Sequence, residues 1–149
     1  MGKFAARTTV AVGKSKTEIE AILARYGATR FAAGWDADQA VIMFEAHGRR
    51  LRFNLPMPDR TKLRVVKGRR RTDRQVQTEY EAEERRRWRC LCLTIKAKLE
   101  AVQTGIVSFE VEFLSHIILP GGETVGEWTA PRLQDVLDGK PLPPMLGMG

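Results

Sequence analysis

The chain has 149 residues, 43% hydrophobic and 29% charged. That excludes an intrinsically disordered composition and allows one core without disulfide or metal staples. The net charge of +7 is segregated: Arg49 to Lys98 holds 17 Lys/Arg against 6 Asp/Glu, while the rest holds 8 against 12.

Excess positive charge gathered in one segment is the footprint of a polyanionic partner, although a solvated basic helix face gives the same composition. No stretch approaches the roughly 20 apolar residues of a membrane span, and MGKFAARTTV carries no secretory pattern. A cytoplasmic protein with no membrane partner is expected, in a host cytoplasm if a phage encodes it. Cys90 and Cys92 lie two residues apart, which points their side chains in different directions on a helix, so no disulfide is expected.

In chain order, Thr8 to Val12 reads as a short strand. Ser15 and Glu18 form a capping-box pattern ahead of Ile19, Ile22, Leu23 and Tyr26, and Gly27 closes the run. This predicts a helix over 16–26. Three antiparallel strands are then expected over 29–35, 39–46 and 50–55, with turns at Asp36-Ala37-Asp38 and His47-Gly48. Leu51, Phe53 and Leu55 alternate with Arg52 and Asn54, and Pro56 and Pro58 end the last strand. Residues 59–72 read as a mobile basic loop holding a short strand at Leu63–Val66.

A long helix over 73–103 follows. Its apolar stripe is Val76, Tyr80, Trp88, Leu91, Ile95, Leu99 and Val102, at mostly helical steps. Glu81 with Arg85 and Glu83 with Arg87 fall at i,i+4 spacing, which neutralises part of this helix's positive charge. Gly105 ends it. Ser108 to Ile118 fits strand or helix; a helix is favoured because Leu114 and His116 spoil the alternation. A short last helix is expected over Thr129–Leu137, with Pro131 in its first turn, and a proline-rich extended tail over 141–149. Residues 1–140 then form one α+β domain: N-terminal helix, three-stranded antiparallel sheet, long central helix and short C-terminal helices.

No glycine-rich phosphate loop and no zinc-ligand spacing is present, so neither cofactor nor metal is expected. The acidic residues Asp36, Asp38 and Glu45 beside Arg49, Arg50 and Arg52 offer the elements of a Mg²⁺-dependent nuclease. The plainer reading makes both aspartates turn formers and Glu45 a solvated strand residue. For binding, the candidates are Arg49, Arg50 and Arg52 on the sheet, and Lys62, Arg64, Lys67, Arg69, Arg70 and Arg71 in the loop. Arg86 and Arg89 on the helix complete the cations, and Trp35 is the freest aromatic for base stacking.

The stretches RYGATRFAAGWD, GRRLRFNLPMP, WRCLCLTIKAKLEAVQTGI and ILPGGETVGEW resemble an uncharacterised family of small basic proteins of phages and prophages, over most of the chain. The resemblance transfers no site residue. It implies a phage setting, where small basic proteins serve DNA replication or recombination. The order helix, three-stranded sheet, long helix also resembles, as an analogy of element order, the core of phage single-strand annealing proteins. The expectation is a non-catalytic binder of single-stranded DNA that can form a homo-oligomer. The alternatives are the nuclease above and an inhibitor that competes for a host factor through its basic surface.

Overall fold

Val12, Ser15, Ile19 and Ile22 recur at steps of three or four, Leu23 lies four beyond Ile19, and all are buried. In the computed structural model, which describes residues 3–36 and 38–145 and only the backbone of 3–8, this stripe lies on a single helix, α1 (Lys3–Arg25). The short strand expected over Thr8–Val12 is therefore helical, and Ser15 is buried in mid-helix rather than capping a start. Tertiary packing decides this. The helix is prolonged by burial of its Val12–Ser15 turn, a cue weaker in sequence than the hydroxyl-to-Glu cap signal. Gly27, at φ 101, ends α1 with a paired bond pattern: Gly27 N–H donates to Ala24 O at 3.2 Å and Ala28 N–H to Leu23 O at 2.9 Å.

Strands β1 (Arg30–Asp36), β2 (Gln39–Ala46) and β3 (Arg49–Pro56) form an antiparallel sheet in that order. The register pairs Ala33 with Ile42 and Ile42 with Phe53. Ala40, Ile42, Phe44 and Ala46 of β2 and Leu51 and Phe53 of β3 supply its buried inner face. His47 (φ 52) and Gly48 (φ 72) make the two-residue left-handed turn that suits the twist of a β2–β3 hairpin.

Helix α3 spans Asp73–Thr104, about 48 Å at 1.5 Å per residue. It starts on a Thr72–Gln75 capping box and stops at left-handed Gly105. Its stripe is buried as the spacing predicts, from Val76 through Trp88, Leu91, Ile95 and Leu99. Helices α1 and α3 pack together, and one apolar cluster joins them to the inner sheet face and to Phe109 and Phe113.

The segment expected to be one helix over Ser108–Ile118 is divided. It forms α4 (Phe109–Glu112), a 3-10 turn (Leu114–His116) and then extended chain. Ile117 bridges to Leu51, and Ile118 N–H donates to Arg50 O at 2.8 Å. Its apolar residues serve two surfaces: Phe109 and Phe113 enter the core, while Ile117 and Ile118 lie along the outer edge of β3. The expected last helix is likewise broken. It begins earlier, as α5 (Val125–Thr129) on a Thr124–Glu127 capping box, and passes through a 3-10 turn (Ala130–Arg132) into α6 (Leu133–Leu137). Pro131 has no N–H to continue an α-helical ladder. Residues 141–144 are exposed and carry no helix or strand, and the end of the expected tail, 146–149, lies outside the described residues. No described helix is long and apolar enough to cross a membrane.

Candidate nucleic-acid interface

The basic segment 59–72 is ordered into local structure. Asp59 caps α2 (Arg60–Arg64), its Oδ1 accepting from the Thr61 N–H at 2.9 Å and hydroxyl at 2.6 Å. These hydrogen bonds hold the Asp59 carboxyl below its ordinary range. A two-residue hairpin follows: β4 (Val65–Val66) pairs with β5 (Arg69–Arg70) across a Lys67-Gly68 turn. Both turn residues are left-handed, φ 51 and 76. Lysine there costs about 1 kcal/mol relative to glycine, and it sets an ammonium at the hairpin tip.

This helix–hairpin arm is anchored at its base. The Arg60 guanidinium stacks 4.0 Å from the Tyr80 ring centroid and donates to Gln77 Oε1 at 2.7 Å. Gln77 Nε2 in turn donates to the buried Glu81 at 2.8 Å. Glu81 thus turns inward to Gln77. Beside it, burial and then the Glu81 charge raise the Glu84 carboxyl above its ordinary range. Arg64 pairs with Asp73 at 2.6 Å and donates to Arg71 O at 3.2 Å, while Arg71 donates to Leu63 O at 3.3 Å. A Tyr80→Ala substitution should leave every arm cation in place yet loosen the base. Faster amide exchange over residues 60–72 is the expected result.

The sequence-derived cations separate into two sets. Arg49 bonds Glu110 at 2.8 Å. Arg52 is half-buried, donates to Gly122 O at 2.8 Å and pairs with Glu127. Burial opposes the Glu127 carboxylate, but hydrogen bonds from Thr124 and Arg52 outweigh it and hold the carboxyl below its ordinary range. Arg86 pairs with Glu83, and Arg89 with Glu18 at 2.7 Å. Among the described residues Arg50 makes no ion pair of its own, but it stands opposite Glu45, which pairs with Arg30 at 3.6 Å.

What remains, besides Arg50 on β3, is Lys62, Lys67, Arg69 and Arg70. All four are exposed, all lie on the arm, and none is ion-paired among the described residues. Arg74, in the first turn of α3 beside the arm, shares these properties and was not among the sequence candidates. Its signal in the sequence was its place three residues beyond the Arg69–Arg71 run; that Arg64 takes the neighbouring Asp73 carboxylate is decided only by the fold.

Trp35 lies on β1 and is 58% exposed. It shares a cross-strand row with Ala40 and Leu55, at the end of the sheet where the chain leaves for the arm. Trp88, by contrast, is buried. The acidic trio does not converge. Asp36 pairs with Gln39, whereas Glu45 sits six residues further along β2, about 20 Å away at strand spacing. Among the described residues no group of three His, Cys, Asp or Glu side chains is placed to hold a metal ion.

His116 stacks on Phe53, ring centroids 3.7 Å apart. Burial and then the Lys98 ammonium push its imidazole below the ordinary value of 6.5, against a backbone hydrogen bond at Arg52. The folded protein therefore binds this proton less readily than the unfolded chain. Its contribution to stability is complete above about pH 6.5 and is lost as pH falls below that, until the folded imidazole also titrates. Melting temperature should drop as pH falls below about 6.5, and His116→Phe, which keeps a ring on Phe53, should flatten that slope.

No family model, no curated protein and no solved structure matches the chain.

Proposed function

We propose that the protein binds nucleic acid, single-stranded DNA foremost, through the arm formed by residues 59–72. One observation carries this reading: among the described residues Lys62, Lys67, Arg69 and Arg70 are exposed and without an ion pair on one arm, while Arg49, Arg52, Arg86 and Arg89 are engaged by carboxylates. Cations not tied up in ion pairs can neutralise phosphates and release the counterions condensed on the nucleic acid, which drives association without base readout. The arm itself carries no aromatic residue, so bases are contacted only if the strand extends to Trp35. The setting in phage DNA replication or recombination rests on the sequence resemblance.

Fluorescence anisotropy with labelled single- and double-stranded oligonucleotides over a salt series tests the reading. Four phosphate contacts give a log–log salt slope of about −2.8 on single strands and about −3.6 on duplex. Stronger binding to the single strand, lost on Trp35→Ala, supports the strand preference. No binding to either at low salt sinks the proposal. Duplex binding that Trp35→Ala leaves unchanged confines the function to the phosphate backbone.

A further inference from the structure

The sheet has two edges with different fates. The outer edge of β3 is met by Ile117 and Ile118. The free side of β1 pairs with no strand among the described residues. Six of the seven β1 residues are exposed, and Phe31 is half-buried. Soluble proteins guard such edges with proline, lysine, inward charges or bulges, because unpaired backbone N–H and C=O groups template further pairing. The interior of β1, Phe31-Ala32-Ala33-Gly34-Trp35, has none of these, and its register with β2 runs without a bulge. Its only charges stand at the two ends, Arg30 and Asp36, and they have opposite sign.

We infer that β1 is a self-complementary docking edge, and that a second copy of this chain adds its own β1 antiparallel to it about a two-fold axis through Ala33. That register sets Arg30 opposite Asp36 of the second copy, and Asp36 opposite its Arg30. Phe31 faces Trp35 of the second copy on the inner side, Ala32 faces Gly34 on the outer side, and the two Ala33 residues meet at the axis. Every directly opposed pair is then favourable or small: two ion pairs, two aromatic pairs and a centre that allows close approach.

A strand of another protein would need to match this pattern, whereas β1 matches itself. Arg30 can take part because its contact with Glu45, at 3.6 Å, leaves its side chain 78% exposed. The product is a continuous six-stranded sheet with isologous symmetry. It covers Trp35, the one large aromatic that β1 leaves in water. The dimer leaves the arm's phosphate contacts free but competes with base stacking on Trp35, so it bears on the strand preference and not on backbone binding.

Sedimentation equilibrium from about 1 to 500 μM should show a reversible monomer–dimer equilibrium. Asp36→Arg places two arginines opposite each other at both ends and should weaken the dimer about tenfold or more, while Arg30→Asp/Asp36→Arg restores the pairing and the dimer. The register is read separately by cysteine trapping in a Cys90→Ser background. Ala33→Cys should cross-link across the axis on mild oxidation, and Ala32→Cys, opposite Gly34, should not. Unchanged far-UV circular dichroism confirms that each variant folds. A monomer over the whole range overturns the inference. So does a dimer indifferent to Asp36→Arg that Ala33→Cys fails to trap, since association would then run through another surface.

Discussion

Replacing Lys62, Lys67, Arg69 and Arg70 together by alanine should lower affinity for a single-stranded oligonucleotide roughly 10³- to 10⁴-fold at about 50 mM salt, and less at higher salt. At that ionic strength each released counterion is worth close to a factor of ten, and the four contacts act through one arm. The salt slope should flatten in parallel, to what Arg74 and Arg50 retain. The fold should survive, because all four side chains are exposed and unpaired among the described residues. Surface changes of that kind shift stability by about 0.5 kcal/mol or less each. Arg86→Ala serves as the matched control. It removes one arginine that already sits against Glu83, and it should change affinity less than about threefold. An arm variant that binds as tightly as the native chain would remove the arm from the interface.

Trp88→Ala should cost about 3–5 kcal/mol, the range for deleting a fully buried aromatic ring. In a chain of this size that lowers the melting temperature by about 10 °C. Trp88 is 1% exposed and belongs to the cluster that joins α1, α3 and the sheet, with the Lys16 ammonium 4.9 Å from its ring. Its indole Nε1 finds no acceptor among the described residues. Trp88→Phe keeps much of the ring volume and removes that unpaired donor, whose burial itself costs about 1–3 kcal/mol. The two effects oppose each other, so Trp88→Phe should fall within about 1.5 kcal/mol of the native chain. Thermal melts of both variants separate packing from polar desolvation. Equal losses would mean that Trp88 acts through something other than ring volume.

These two predictions draw on different kinds of information. Trp88 was legible in the sequence as a member of a stripe at helical spacing, and so was most of α3, ended by Gly105. The three strands were legible for the same reason: alternation and turn residues act between neighbours a few positions apart. The excess charge of the middle segment could be counted directly.

Which of those cations are free could not be counted. Arg49 meets Glu110, 61 residues away; Arg52 meets Glu127, 75 away; Arg89 meets Glu18, 71 away. Only the packing of α1 on α3, and of the C-terminal segment on β3, brings these carboxylates within reach. The extension of α1 through residues 8–12 and the division of Ser108–Ile118 between core and sheet edge belong to the same class. The sequence by itself determined the periodic elements and the sign and place of the charge, because local spacing and composition suffice for both. The tertiary structure alone decided which arginines are neutralised, which four arm cations are left over, and which sheet edge stays open. A Coulomb pair or a strand neighbour depends on distance in space, which sequence separation does not specify.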